Sequence, residues 1–171
     1  DAEAAAQGIG VETDKKLAVF IAFGHGNKAV KDVRLDIKSP SNVKMVTREN
    51  KAAPKISMND LLFSKVYGEP VNMELLYTEL EDALLSIAVA QSFFNRQPYR
   101  VIVDDDIVSL IGLKDELTTA EDALLNYGIA MFNFYAVLDS TRANIRMWSF
   151  EDAGRDLKLP GNACYVAKIR I

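Results

Sequence analysis

"EDALLNYGIAMFNFYAVLDS", residues 121 to 140, is the stretch on which the fold reading turns. Thr118 followed by Glu121 forms a capping-box pattern just ahead of it. The segment ends near Asp139 and predicts a long helix over about 119–139. From Tyr127 onward it is apolar on nearly every side, so the helix is expected at the centre of the core. It falls short of the ~18 apolar residues of a membrane span and contains Asn133. Gly128 costs about 1 kcal/mol relative to alanine in a helix interior. A close crossing of another element would account for it.

The pattern has an upstream echo. "NMELLYTELEDALLSIAVAQSFFNRQP", residues 72 to 98, predicts a second long helix over about 73–95. Asn72 caps it, Glu74 sits in its first turn and Pro98 lies beyond its end. Met73, Leu76, Leu80, Leu84, Ile87 and Phe94 recur at helical spacing. The pentapeptide "EDALL" occurs at both 81–85 and 121–125, and Ala90/Ala130 and Phe94/Phe134 continue the match. If this is a duplication, the two helices pack as equivalent partners on one sheet.

Strand patterns surround the helices. "KLAVFIAF" (16–23) is a continuous apolar run, and "VRLDIKS" (33–39) alternates Val33, Leu35 and Ile37 with polar residues. "NVKMVTREN" (42–50), "YRVIV" (99–103), "NIRMWSFED" (144–152) and "NACYVAKIRI" (162–171) complete about six strands, the last preceded by the turn "LPGN". "NDLLFSKVYG" (59–68) predicts a short helix, with Asn59 as cap and Gly68 past its end. The fold class is α+β: mainly antiparallel strands, two long helices on one face and one short helix. Residues 1–16 read as a polar tail. Residues 17–171 read as one domain, with a hairpin part (17–55) and a helix–strand part (59–171).

His25, the single histidine, lies in "GHGNK" between two strand patterns. Gly24, Gly26 and Asn27 tolerate positive φ, so the segment reads as a hairpin turn with His25 at its tip. A lone histidine with no second nitrogen or sulfur ligand does not make a transition-metal site. No GxSxG, GxGxxG or P-loop pattern occurs. Cys164, the single cysteine, excludes an internal disulfide and reads as a buried thiol.

With 171 residues, 49% of them hydrophobic, the chain can bury about 70% of its unfolded surface without a staple. A start at Asp1 rather than methionine reads as a trimmed or partial chain, which leaves the compartment open. The net charge of −4 conceals an asymmetry. From Leu17 to Lys55 there are eight Lys/Arg and three Asp/Glu, a charge of +5. From Asn59 onward ten Lys/Arg meet seventeen Asp/Glu, a charge of −7. Opposite charges on one molecule suit head-to-tail association of copies. The candidate interaction residues are Lys28, Lys31, Arg34, Lys38, Lys44, Arg48 and Lys51. A nucleic-acid module using this basic region is less favoured, because only Phe20 and Phe23 are available there for stacking.

The acids that close two strands, Asp104–Asp106 and Glu151–Asp152, are the only catalytic raw material. Asp104, Asp106, Glu151 and Asp152 are the weak metal candidates, and a divalent ion held by them would support a hydrolase. Solvated acid runs explain them as well. No other catalytic set is evident and no cofactor is implied. The sequence therefore points to a non-enzymatic structural or assembly subunit of a larger complex, of the kind found in a virus or phage particle or a secretion machine. Its expected partners are proteins, including copies of itself, with no membrane span.

Overall fold

The computed structural model describes residues 33–39, 42–47, 54–141 and 146–171. The tail, the strand expected at 16–23, His25 with its glycines, Lys28, Lys31, Arg48 and Lys51 lie outside the described residues. The chain divides into two compact units, Asp1–Ala52 and Ala53–Ile171.

In the first unit β1 (Val33–Ser39) pairs antiparallel with β2 (Asn42–Thr47). The register sets Leu35 opposite Met45, Ile37 opposite Val43 and Asp36 opposite Lys44. Directly opposed residues share a face of the ribbon, so Val33, Leu35, Ile37, Val43 and Met45 fall on one side, and Arg34, Asp36 and Lys44 fall with Val46 on the other. A register shift between Ile37 and Ser39 marks a bulge near the end of β1.

The second unit is a four-stranded mixed sheet with helices on one face. Its strands are β3 (Leu62–Ser64), β4 (Tyr99–Asp104), β5 (Ile107–Leu113) and β6 (Ala163–Arg170), in the order β3-β4-β5-β6. β3 and β4 are parallel; the other pairs are antiparallel. The helices are α1 (Met58–Leu61), α2 (Thr78–Ala88) and α3 (Ala120–Thr141). The parallel pair is possible because α2 lies in the crossover between β3 and β4.

Alternation along the strands divides the core. Tyr99, Val101, Val103, Val108, Leu110 and Ile169 face the helices, where they meet Leu80, Leu84, Ile87, Ala130, Phe134 and Leu138. Ile102 and Ile111 point to the other face, packed with Leu157, Phe63, Tyr67 and Tyr165. At about 25 cal/mol per Å² of apolar surface removed from water, the larger cluster on the helix side supplies most of the hydrophobic stabilisation. Tyr99 is fully buried and its hydroxyl donates to the Ile87 carbonyl (3.2 Å).

The architecture corrects several expectations. The short helix expected within 59–68 is only Met58–Leu61, and Ser57 rather than Asn59 is the cap. Leu62–Ser64 are extended instead, because they pair with Val101–Val103 and gain a ladder that local propensity does not register. The long helix expected at 73–95 is three pieces: a 3₁₀ turn (Met73–Leu75), α2 and a second 3₁₀ turn (Phe93–Asn95). Asn72 does cap, accepting from the Glu74 N–H at 3.1 Å, but it caps the 3₁₀ turn. Tyr77, extended at φ −77° and ψ 152°, begins α2 afresh. "IVSLIGL" (107–113) forms the second strand of the β4–β5 hairpin, where no strand was expected. The strand expected at 144–152 is, over its described part, a single bridge between Ser149 and Lys168. α3 is the one long helix, and its capping pair is Thr119 with Asp122: the Asp122 N–H donates to Thr119 Oγ1 at 3.1 Å. Among the described residues no helix is long and apolar enough to cross a membrane.

Candidate functional site

α2 and α3 run antiparallel, side by side. The Phe93 N–H donates to Asn126 Oδ1 at 2.9 Å, and Asn133 Nδ2 donates to the Ser86 carbonyl at 3.4 Å. Rising positions on one strand of contacts meet falling positions on the other. Tyr127, Ala130, Phe134 and Leu138, four residues apart or nearly so, line the buried edge of α3. Trp148 closes one flank: its ring meets Phe134 edge-on at 5.6 Å and its Nε1–H donates to the Met131 carbonyl at 3.0 Å.

The opposite face of α3 is bare, which corrects the expectation of a helix buried on all sides. Glu121, Leu125, Gly128, Phe132, Ala136 and Asp139 follow one another at spacings of three and four and are all exposed. Leu124 is 69% exposed, Leu125 57% and Phe132 68%. Gly128 is not at a close crossing: a Cβ there would meet nothing within 4 Å. α3 looks apolar all round because it serves two apolar surfaces, one turned to the sheet and one turned outward. Leu85 on α2 and Val89, its C-cap, are likewise exposed. Contiguous apolar display of this kind marks an interaction surface.

The loop after α2 adds aromatics to that display. Phe94, Asn95 and Gln97 all have positive φ, at 49°, 57° and 47°. Non-glycine residues in that region cost of order 1–3 kcal/mol each and persist where surrounding bonds enforce them. Here the bonds are visible. Gln97 is buried; its Nε2 donates to the Ala88 carbonyl (2.5 Å) and its Oε1 accepts from the Ile56 N–H (2.8 Å). Lys55 Nζ donates to the Ala90 carbonyl (2.9 Å) and to Asn95 Oδ1 (2.7 Å). The outcome is an aromatic pair, Phe93 and Phe94 at 4.4 Å, with Phe94 75% exposed. Phe94 was expected on the buried face of a continuous helix; the chain turns out of the helix before reaching it.

Both helices are acidic. α2 contains Glu79, Glu81 and Asp82, and α3 contains Glu121, Asp122 and Asp139; neither helix contains Lys, Arg or His. The nearest cation in the following loop, Arg96, is engaged by Asp115 (2.5 Å). That pairing, with a further hydrogen bond from Thr118, holds the Asp115 carboxyl below the usual carboxylate range.

The four metal candidates sit elsewhere. Asp104 pairs with Arg155 (3.0 Å) and Asp106 with Arg170 (2.8 Å). Asp152 Oδ1 accepts from the Gly154 N–H at 2.7 Å, and the Glu151 N–H donates to Ser149 Oγ at 3.3 Å. Among the described residues no three His, Cys, Asp or Glu side chains are grouped to hold a metal ion. Of the interaction candidates, Arg34 and Lys38 lie in β1 and Lys44 in β2, where Lys44 is exposed.

Cys164 is exposed on β6, not buried as expected. Cys164 lies opposite Gly112 of β5, and Gly112 leaves open space that the Tyr127 ring occupies: a Cβ at Gly112 would overlap the Tyr127 hydroxyl and lie 3.2 Å from Cys164 Sγ. Burial raises the Tyr127 hydroxyl's pKa, with the neighbouring Cys164 adding to it. Asn126, buried between the helices, uses its carbonyl on Phe93, while its amide nitrogen has no partner among the described residues.

No protein-family model, no curated protein and no solved structure matches this chain.

Proposed function

We propose that the protein is a non-enzymatic structural or assembly subunit, working by docking against other protein molecules. The observation that supports this reading is the exposed apolar side chains of two acidic helices: Leu124, Leu125 and Phe132 on α3, and Leu85 on α2 with Val89 just past its end. Monomeric soluble domains seldom leave large side chains in such a row unless another surface covers them. The rigid presentation of Phe94 supports it too. Strain held by a bonded network fits a contact surface shaped before the partner arrives, which lowers the ordering cost of binding. The candidate acids offer little to a catalytic reading, since two of them are engaged by arginines.

Light scattering over a wide concentration range tests the proposal. The expected result is a mass that rises with concentration above that of one 19.0 kDa chain. A mass that stays at one chain from low micromolar to the solubility limit, at low salt, would overturn it.

A further inference from the structure

We propose that the occupant of the outer helical face is the β1–β2 ribbon of a second copy, so that molecules join head to tail. This rests on the assembly reading above and names its contact. The helical face is apolar, and the two helices that form it contain six acids and no cation. Its complement is an apolar surface carrying excess Lys and Arg. The chain itself contains one. The portion from Leu17 to Lys55 has a charge of +5. Within the ribbon, Arg34, Lys38 and Lys44 outnumber the single acid, Asp36. On β2 the exposed side chains alternate Val43, Lys44, Met45, and the register aligns Val43 and Met45 with Ile37 and Leu35. One side of the ribbon therefore holds the apolar positions Val33, Leu35, Ile37, Val43 and Met45. Lys44 is exposed, and the long stem of a lysine lets its charged end reach acids beyond the ribbon's edge.

Charge also argues against the simplest alternative, a two-fold contact of α3 with α3. Glu121 and Asp139 stand at the two ends of the same stripe. Parallel or antiparallel, a second α3 would bring acids against acids, which costs affinity. Ribbon on helices uses two different patches, so the contact is heterologous and propagates into a ring or a filament.

Two variants of the full chain separate the ends of the contact. Phe132→Glu spoils the helical face and leaves the ribbon intact; Met45→Glu does the reverse. Both side chains are exposed, at 68% and 75%, and unchanged thermal melts verify the folds. By light scattering, each variant alone is expected to lose assembly, with association weakened on the order of tenfold or more. Mixed in equal amounts, they are expected to form a one-to-one pair and nothing larger, because one intact contact remains. Raised salt is expected to slow association of the unmodified chain. If Phe132→Glu assembles like the parent, the face is not the seat and the inference falls while the assembly reading stands. If Met45→Glu assembles normally, the occupant is a different surface and the inference is again overturned. If the two variants are monomeric but do not pair when mixed, the contact is not head to tail. A parent chain that is monomeric throughout removes both readings together.

Discussion

The same five residues, EDALL, open a stretch of α2 at 81–85 and of α3 at 121–125, and they meet opposite fates. Leu84 is completely buried, whereas its counterpart Leu124 is 69% exposed. Ala83 is buried and Ala123 only partly so. Nine residues on, the exchange reverses: Phe134 is fully buried and Phe94 is 75% exposed. Thus the echo does not produce two equivalent helices. α2 stops at Ala88 and the chain leaves through a bonded loop of positive-φ residues, while α3 continues for 22 residues. In α2 the pentapeptide sits mid-helix over the sheet. In α3 it forms the first turns, and its leucines point outward. Identical local sequence therefore carries helix formation but not helix orientation, which is set by what each helix packs against.

The largest test of that contrast uses the phenylalanines. Phe134→Ala is expected to cost about 3–5 kcal/mol, through lost burial and a cavity. Phe94→Ala is expected to change stability by less than about 1 kcal/mol, as surface substitutions generally do. Denaturant melts of the two variants compare them directly, and equal losses would mean that the helices are packed alike after all. The leucines come next. Leu84→Ala is expected to cost about 2–5 kcal/mol, and Leu124→Ala within about 0.5 kcal/mol. A heavy loss at Leu124 in the monomer would show that the outer face is covered within the chain.

Gly128 gives a smaller effect of the opposite sign. With open space around it and a helical backbone, Gly128→Ala is expected to stabilise by about 0.5–1 kcal/mol. A destabilised alanine variant would restore the close crossing that the sequence suggests. The smallest effect concerns Arg96 and Asp115, which link the loop after α2 to the loop before α3. The Asp115 carboxyl titrates lower in the folded chain than in the unfolded one, because Arg96 and then Thr118 favour its charged form. Its contribution is present above the ordinary carboxylate pKa and is lost as pH falls through the lower folded value. Asp115→Asn is expected to lower stability slightly near neutrality, where the contribution is present, to change little at the acid end, where it is already lost, and so to flatten the pH dependence between the two. Melts over a pH series provide the measurement.

Some of this was legible residue by residue. Val33, Leu35 and Ile37 alternate, and β1 follows. "YRVIV" and "ACYVAKIR" are rich in strand formers and are strands. The capping region at Thr118–Asp122 begins α3 within a residue of expectation. "LLFS" was misleading because three residues of parallel strand carry no period of their own; Val101, Ile102 and Val103, nearly forty residues away, make them extended. "IVSLIGL" was hidden for a related reason. It is buried on both faces, so it lacks the alternation that announces a half-exposed strand. The outer apolar face had a signal in the sequence, the unbroken hydrophobicity around α3 together with an exposed-face glycine. That signal reads equally as a core helix and as a helix with two apolar jobs.

By itself the sequence determined an α+β fold, where the long helix and four of the strands fall, the division of charge between a basic and an acidic portion, and the lack of any familiar catalytic pattern. Those properties depend on residue type and near-neighbour spacing. Only the tertiary structure decided where helix 73–95 breaks, which leucine of each EDALL is buried, that Asp104 and Asp106 face arginines, and that Cys164 and the outer face of α3 are exposed. Each of these depends on residues far apart in the chain being brought together, and a buried position is defined by its neighbours in space, whose identity no local pattern carries.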